Sequence, residues 1–369
     1  MGETQGLYKI SKLAAHVPDL VVYSTLAKDI PYAEKFHGVL LFADVSGISA
    51  GKLSKVVIGD ELSQYFLVIG RAVDEVRLAE GLAVAGTIIL SPNAWELCDR
   101  DNIVIDRIEN ERAVKVRYMK REPSFSVEKY QDSVGAMVEH EHLTRDCVRK
   151  ASRLTPNAEL ENTFRKYIMK TVLQKIDDGQ PLEYLSEMRP ATIVFVNLQF
   201  SGGQSEEGLC AAIHRAAIGI ARQMVSHQGR INKVFMFDKG CTFLCLFGLP
   251  GDKREDERAH ALQAACGIHD ICQREFCNLK TVSIGVTTGP VFCGVVGHSV
   301  RHEYTVIGRK VNLAARLMMH YPGVVSCDSE TCYYSKLPAL YFNKLPKKAM
   351  KGIKDPGVLY QFMARKHSM

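Results

Sequence analysis

The sequence predicts an α+β fold: two diverged copies of one ferredoxin-like βαββαβ module, the first truncated, joined by a helical connector. Three observations predict it. A grid of glycines recurs at a fixed offset, the second half carries apolar patterns in β-α-β-β-α-β order, and a middle segment has apolar residues at helical spacing. The 369 residues, 46% hydrophobic and 24% charged, suit a folded chain of two or three domains.

The glycine grid comes first. GISAGKLSKVVIGDELSQYFLVIGRAV, from Gly47, aligns with GVTTGPVFCGVVGHSVRHEYTVIGRKV, from Gly285. Gly47, Gly51, Gly59 and Gly70 meet Gly285, Gly289, Gly297 and Gly308 at one offset of 238 (285 − 47), and VIGR recurs at Val68–Arg71 and Val306–Arg309. Glycine marks tight turns and close backbone approach, so a shared grid implies one backbone path used twice. Upstream, GVLLFADVSG around Asp44 resembles ATIVFVNLQF around Asn197 at an offset of 153 (197 − 44). The first copy is therefore 85 residues shorter (238 − 153) between its first strand and its grid.

The longer copy shows the order of elements. The pattern predicts a strand at Ile193–Leu198, a helix over Leu209–Gln228, and strands at Lys233–Phe237 and Thr242–Phe247 joined by the hairpin signal Asp238-Lys239-Gly240. A helix over His260–Cys272 and a strand at Thr281–Val286 complete it. The connector has helical spacing over Glu159–Ile176, after a break at Arg121-Glu122-Pro123. The expected domains are 34–120 (truncated first copy), 121–187 (connector) and 188–365 (second copy).

Composition narrows the function classes. The formal charge of +6 comes with no run of five or six like charges, which argues against a nucleic-acid interface. Eleven cysteines without a CxxC pair read as reduced thiols of a cytoplasmic protein, with Cys241 and Cys245 as core residues. No apolar run reaches the roughly 20 residues that span a bilayer. The first residues, MGETQGLYKISK, lack the apolar core of a signal peptide, and Gly6 stands where a myristoylation signal wants Ser or Thr.

Candidate chemistry gathers near the grid. GISAGKLS is not a P-loop: three residues rather than four separate Gly47 from Gly51, and Leu53 follows Lys52. Asn312 and Arg316 are spaced i,i+4, so a helix carries a neutral hydrogen-bonding group and a forked cation on one face beside Gly308. That pair suits a sugar hydroxyl and a phosphate; an exposed helix face with local contacts accounts for the same spacing. In the first copy Asp74 and Leu78 take those positions, which predicts one working site and one modified site. Asp44, in the apolar run LLFADVSG, is either cation-bound or a strand-end carboxylate accepting backbone hydrogen bonds.

Together, the strings LAAHVPDLVVY, FADVSG, FLVIGRAVDEVRLAE, LSPNAWELCDR, RPATIVFVNL, INKVFMFDKGCTFLCLFG and VRHEYTVIGRKVNLAARLM resemble the class III nucleotidyl cyclases. Within them, the likeness is to the tandem catalytic core of the soluble, bicarbonate-responsive adenylyl cyclases. It runs nearly end to end apart from the missing block. The resemblance implies conversion of ATP to cyclic AMP and pyrophosphate at an interface of two domains, with Mg2+ or Mn2+ in a two-metal site.

It also implies residue roles. Lys233 would recognise adenine with Thr305 and the backbone of Val306, Asn312 would orient the ribose, and Arg316 would stabilise the transition state. Asp44 matches the first metal-binding Asp, and Val68, Arg77 and Met236 match part of the bicarbonate pocket. The second metal-binding Asp and the pocket's Lys belong to the 85-residue block this chain lacks. Asp44 itself matches Asn197 at offset 153 but Val282 at offset 238. The expectation is an adenylate cyclase homologue with impaired turnover, or alternatively a non-catalytic nucleotide-binding or regulatory isoform that pairs with an intact cyclase. A homodimer is the other expected pairing and a route to rescued turnover, though two second copies would each offer Asn197 where a metal Asp is wanted.

Overall fold

The computed structural model describes residues 2–18, 32–42, 47–121, 157–237, 240–298 and 301–364. Asp44, Glu122-Pro123 and the Asp238-Lys239 part of the hairpin signal lie outside the described residues. The fold is mixed α+β, with an eight-stranded and a six-stranded sheet. The chain divides into one unit of Met1–Tyr32, Val57–Leu67 and Leu154–Met369, and another of Ala33–Val56 and Val68–Arg153.

The larger unit opens with α1 (Gly2–His16). The connector's expected single helix is two, α4 (Ala158–Arg165) and α5 (Lys170–Asp177). They separate where the Lys166 carbonyl accepts the backbone N–H of Gln64 at 2.8 Å, a bond made outside the helical ladder.

The module follows as β7 (Glu187–Phe200), α6 (Glu206–Ser226), β8 (Arg230–Phe237), β9 (Gly240–Phe247), α7 (Glu257–Glu275) and β10 (Leu279–His298). Their order in the sheet, β10-β7-β9-β8, with every neighbour antiparallel, is the ferredoxin-like arrangement. Sequence explains the elements. β9 is buried along its whole length, and α6 buries Cys210, Ile213, Ala217, Ile220 and Met224 at helical spacing behind a Ser205 cap that accepts from Gly208 N at 3.1 Å.

β10 is far longer than the expected Thr281–Val286. Its first part pairs with β7 through Cys293, and its last part forms a hairpin with β11 (Arg301–Ile307), so backbone partners carry the strand through its glycines. α8 (Arg309–His320), β12 (Val325–Asp328), α9 (Ser329–Ser335), β13 (Phe342–Lys344) and β14 (Leu359–Phe362) complete the unit.

The smaller sheet repeats the second half of this plan. It holds β1 (Tyr32–Phe42), β2 (Gly47–Gly59), β3 (Gln64–Ile69), β4 (Ile88–Leu90), β5 (Ile103–Arg107) and β6 (Val114–Met119), with α2 (Arg71–Leu82) after β3 and α3 (Pro92–Glu96) after β4. Shifted by 238, α2 falls on α8 end for end. β2 pairs parallel with β4 as β10 does with β12, and β4 antiparallel with β6 as β12 does with β14.

The glycines behave alike too. A Cβ on Gly47 would strike Val76 O and Glu80 N, and one on Gly285 would strike Ala314 O and Met318 N, atoms 238 residues on. Gly59 and Gly297 both take positive φ, 120° and 132°, facing Ser63 O and Arg301 O in turn.

The deletion is now visible as geometry. β1 neighbours β2 as β7 neighbours β10, but β1 ends at Phe42 and β2 begins at Gly47, where the second copy has α6, β8, β9 and α7 in between.

Candidate functional site

The site residues stand on β8, β11 and α8 of the larger unit. β8 carries a bulge between Ile231 and Lys233 in its pairing with β9. The bulged Asn232 donates its Nδ2 to the Tyr304 carbonyl at 3.0 Å, and its Nδ2 also lies 3.2 Å from Met169 Sδ, tying β8 to β11. Lys233 thereby reaches Glu303, Nζ to Oε1 at 2.6 Å. Both side chains remain partly exposed, so the pair is a positioned contact rather than a large stability contribution.

Thr305 and Val306 follow on β11, buried at 8% and 4% exposure and paired with Gly294 and Cys293. Gly308 then turns the chain into α8, which bears Asn312 and Arg316 one turn apart. Asn312 is exposed and Arg316 half-buried, and among the described residues neither side chain makes a hydrogen bond or ion pair. Both are therefore open to a ligand.

Two hollows flank β11. One, of about 590 Å³, is lined by Val306, Gly308, Asn312 and Gly352. The other, about 100 Å³, is lined by Lys233, Glu303, Tyr304, Asn232 and His16 among others. The structure thus brings Val306 and Asn312 to one hollow and Lys233 to the other, with residues 303–306 of β11 running between them.

His16 was absent from the sequence reading. Its Nε2 lies 3.1 Å from His302 Nε2, and burial first, then the His302 and Arg301 charges, lower its pKa to about 3. Glu303 was also missed. It stands two residues before Thr305 in HEYTV, and the two-residue period of a strand, applied to Thr305, points to it.

The metal residues fare differently. Divalent cations such as Mg2+ want carboxylate oxygens. At the strand position that the offset of 153 matches to Asp44, the second copy has Asn197, 1% exposed, whose amide donates to Thr242 Oγ1 at 3.0 Å. A neutral amide already spent on a buried hydrogen bond does not fit a two-metal centre. Among the described residues no three His, Cys, Asp or Glu side chains converge as metal ligands. Of the bicarbonate remnant, Val68 and Arg77 belong to the smaller unit and Met236, half-buried on β8, to the larger.

Residues 188–364 match the family model described as adenylate and guanylate cyclase catalytic domain. The chain is 51% identical over 319 residues to adenylate cyclase type 10 of Rattus norvegicus, covering 85% of this chain and 20% of that protein. It is 51% identical over 323 residues to adenylate cyclase type 10 of Homo sapiens, covering 86% and 20%. The chain spans about a fifth of the length of these curated relatives. Among solved structures, the adenylyl cyclase CyaB from P. aeruginosa aligns with 50% of this chain and 99% of that one, at 20% identity and a TM-score of 0.41.

Proposed function

Because residues 188–364 match the adenylate and guanylate cyclase catalytic domain, we propose that the chain binds ATP through its second cyclase domain and turns it over slowly or not at all. Lys233 reads the adenine with Thr305 and the Val306 backbone once its side chain leaves Glu303 and the smaller hollow that the two line. Asn312 orients the ribose, and Arg316 holds the phosphate at which charge develops. The observation that carries the reading is the open Asn312–Arg316 face beside a hollow that Val306 and Asn312 share.

The loss of turnover rests on donor chemistry. Asn197 offers no carboxylate, and the block carrying the second metal Asp is missing from the first domain, which we place at 34–120, with the connector at 121–187 and the second domain at 188–365. One missing electrostatic group costs roughly 10²–10³ in rate. Bicarbonate, expected through Val68, Arg77 and Met236, lacks the lysine that the resemblance assigns to the missing block. We place the chain in the cytoplasm, where its cysteines stay reduced: no described helix is long and apolar enough to cross a membrane, and every described cysteine is a free thiol.

The test is titration of the full chain with ATP, alongside an assay for cyclic AMP with Mg2+ or Mn2+. Micromolar binding that weakens about tenfold or more in Lys233→Ala, without product, is expected. Product that disappears in Arg316→Ala would overturn the loss of turnover. An absence of ATP binding would overturn the site itself.

A further inference from the structure

The duplication contains its own control for what a missing block exposes. β7 is held on both edges: β10 pairs on one side, and β9 on the other at seven positions from Thr192 to Leu198. β1 occupies the corresponding place in the smaller sheet, but among the described residues its only sheet neighbour is β2. Among the described residues, no strand lies along its second edge, the one β9 takes in the intact copy.

Burial follows the same comparison. Val39 and Leu41 are 68% and 63% exposed, while their counterparts 153 residues on, Thr192 and Val194, are both 0% exposed. The strand alternates: Phe36, Gly38 and Leu40 are half-buried, and Lys35, His37, Val39 and Leu41 face out.

Open edges are usually guarded by proline, charge or shortness. β1 has 11 residues, an edge of about 36 Å, and no proline. Its charges sit at the start, where the Glu34 carboxylate is bound by Lys55 at 2.8 Å. The stretch Gly38–Leu41 carries none.

We infer that this edge is a docking surface for a second copy of the chain, pairing β1 antiparallel with β1 about a two-fold axis at Gly38. An antiparallel pair of identical edges closes on itself, so each copy satisfies the other and no third is needed. Centring on Gly38 sets Phe36 against Leu40 twice along the inner row. Along the outer row it sets His37 against Val39 and the Lys35 stem against Leu41. No side chain then sits on the axis. A shift of one residue would face His37 with its own copy and Phe36 with glycine.

Residues 34–42 of both strands, with their outward side chains, bury roughly 800–1,000 Å² in total, below the roughly 1,200 Å² of stable specific interfaces and in the range of weak, transient ones. The dimer is therefore a weak, reversible one. It stands on the open edge and uses no nucleotide, so it is independent of the reading of Lys233 and Arg316.

Sedimentation velocity on the full chain between about 1 and 100 µM tests it. A reversible monomer–dimer equilibrium is expected, together with amide-exchange protection of β1 that rises with concentration. The double variant Val39→Lys, Leu41→Lys alters only exposed positions; it should melt like the parent and dimerise at least about tenfold more weakly. Three results would overturn the inference: a parent chain that stays monomeric throughout, a dimer indifferent to the two lysines, or open-ended aggregates in place of a closed pair.

Discussion

At the scale of single residues, His16 links the amino-terminal helix to the candidate site through a proton. Its imidazole is buried beside His302 and below Arg301, and its pKa falls from 6.5 to about 3. The folded chain therefore keeps His16 neutral over a range in which the unfolded chain protonates it. Its contribution is fully present above pH 6.5 and is lost progressively as pH falls toward 3. At pH 5 the cost is about 2 kcal/mol. Urea unfolding at pH 7.5 and pH 5, compared between the parent and His16→Leu, should show the parent losing about that much more. An equal loss in both chains would remove His16 from the account.

Among elements, α8 owes its seat to Gly285. A Cβ there would lie 2.1 Å from Ala314 O and 2.8 Å from Met318 N, both backbone atoms of α8, so the helix would have to move. Asn312 and Arg316 ride on that helix and would move with it. Gly285→Ala should cost about 3 kcal/mol in denaturant unfolding and weaken ATP binding as well. Gly47→Ala strains the matching helix α2 less, at 2.7 and 2.8 Å, and should leave ATP affinity unchanged because its site carries Asp74 and Leu78. Full ATP affinity in Gly285→Ala would show that the close approach does not position the site.

For the whole molecule, the asymmetry of the two copies governs what activity can return. On the proposed reading, the second domain brings the groups that face base, ribose and phosphate, and neither copy brings a complete metal set. Homodimerisation joins like with like and adds no carboxylate, so cyclic AMP output should stay at background across the concentrations at which the dimer forms. Mixing the chain with a separately made, intact first cyclase domain supplies the missing carboxylates. That mixture should produce cyclic AMP, and the product should vanish with Arg316→Ala in this chain. Activity from the chain alone that rises with dimerisation would contradict this account.

Much of this was legible in the sequence because glycine spacing is a direct imprint of backbone path. Four glycines at one offset identified the repeat and its register, the second offset of 153 sized the gap, and the structure extends the 238 offset through β12 and α9. Strand and helix periods located the βαββαβ order, though not the length of β10, which depends on pairing first with β7 and then with β11. The family strings named Lys233, Thr305, Val306, Asn312 and Arg316.

Only tertiary structure decided how the chain closes over the gap. Asp44 met Asn197 at offset 153 and Val282 at offset 238, because a one-dimensional alignment cannot say which strand neighbours which; Asp44 itself lies outside the described residues. Hydrogen-bonded pairing placed β1 beside β2 in the position β7 holds beside β10. Contact across long separations likewise revealed the Glu303 partner of Lys233 and the burial of His16, and among the described residues it left the second edge of β1 without a neighbouring strand. Local pattern determined the elements and their duplication; the free energy of long-range pairing and burial determined which edges and side chains meet.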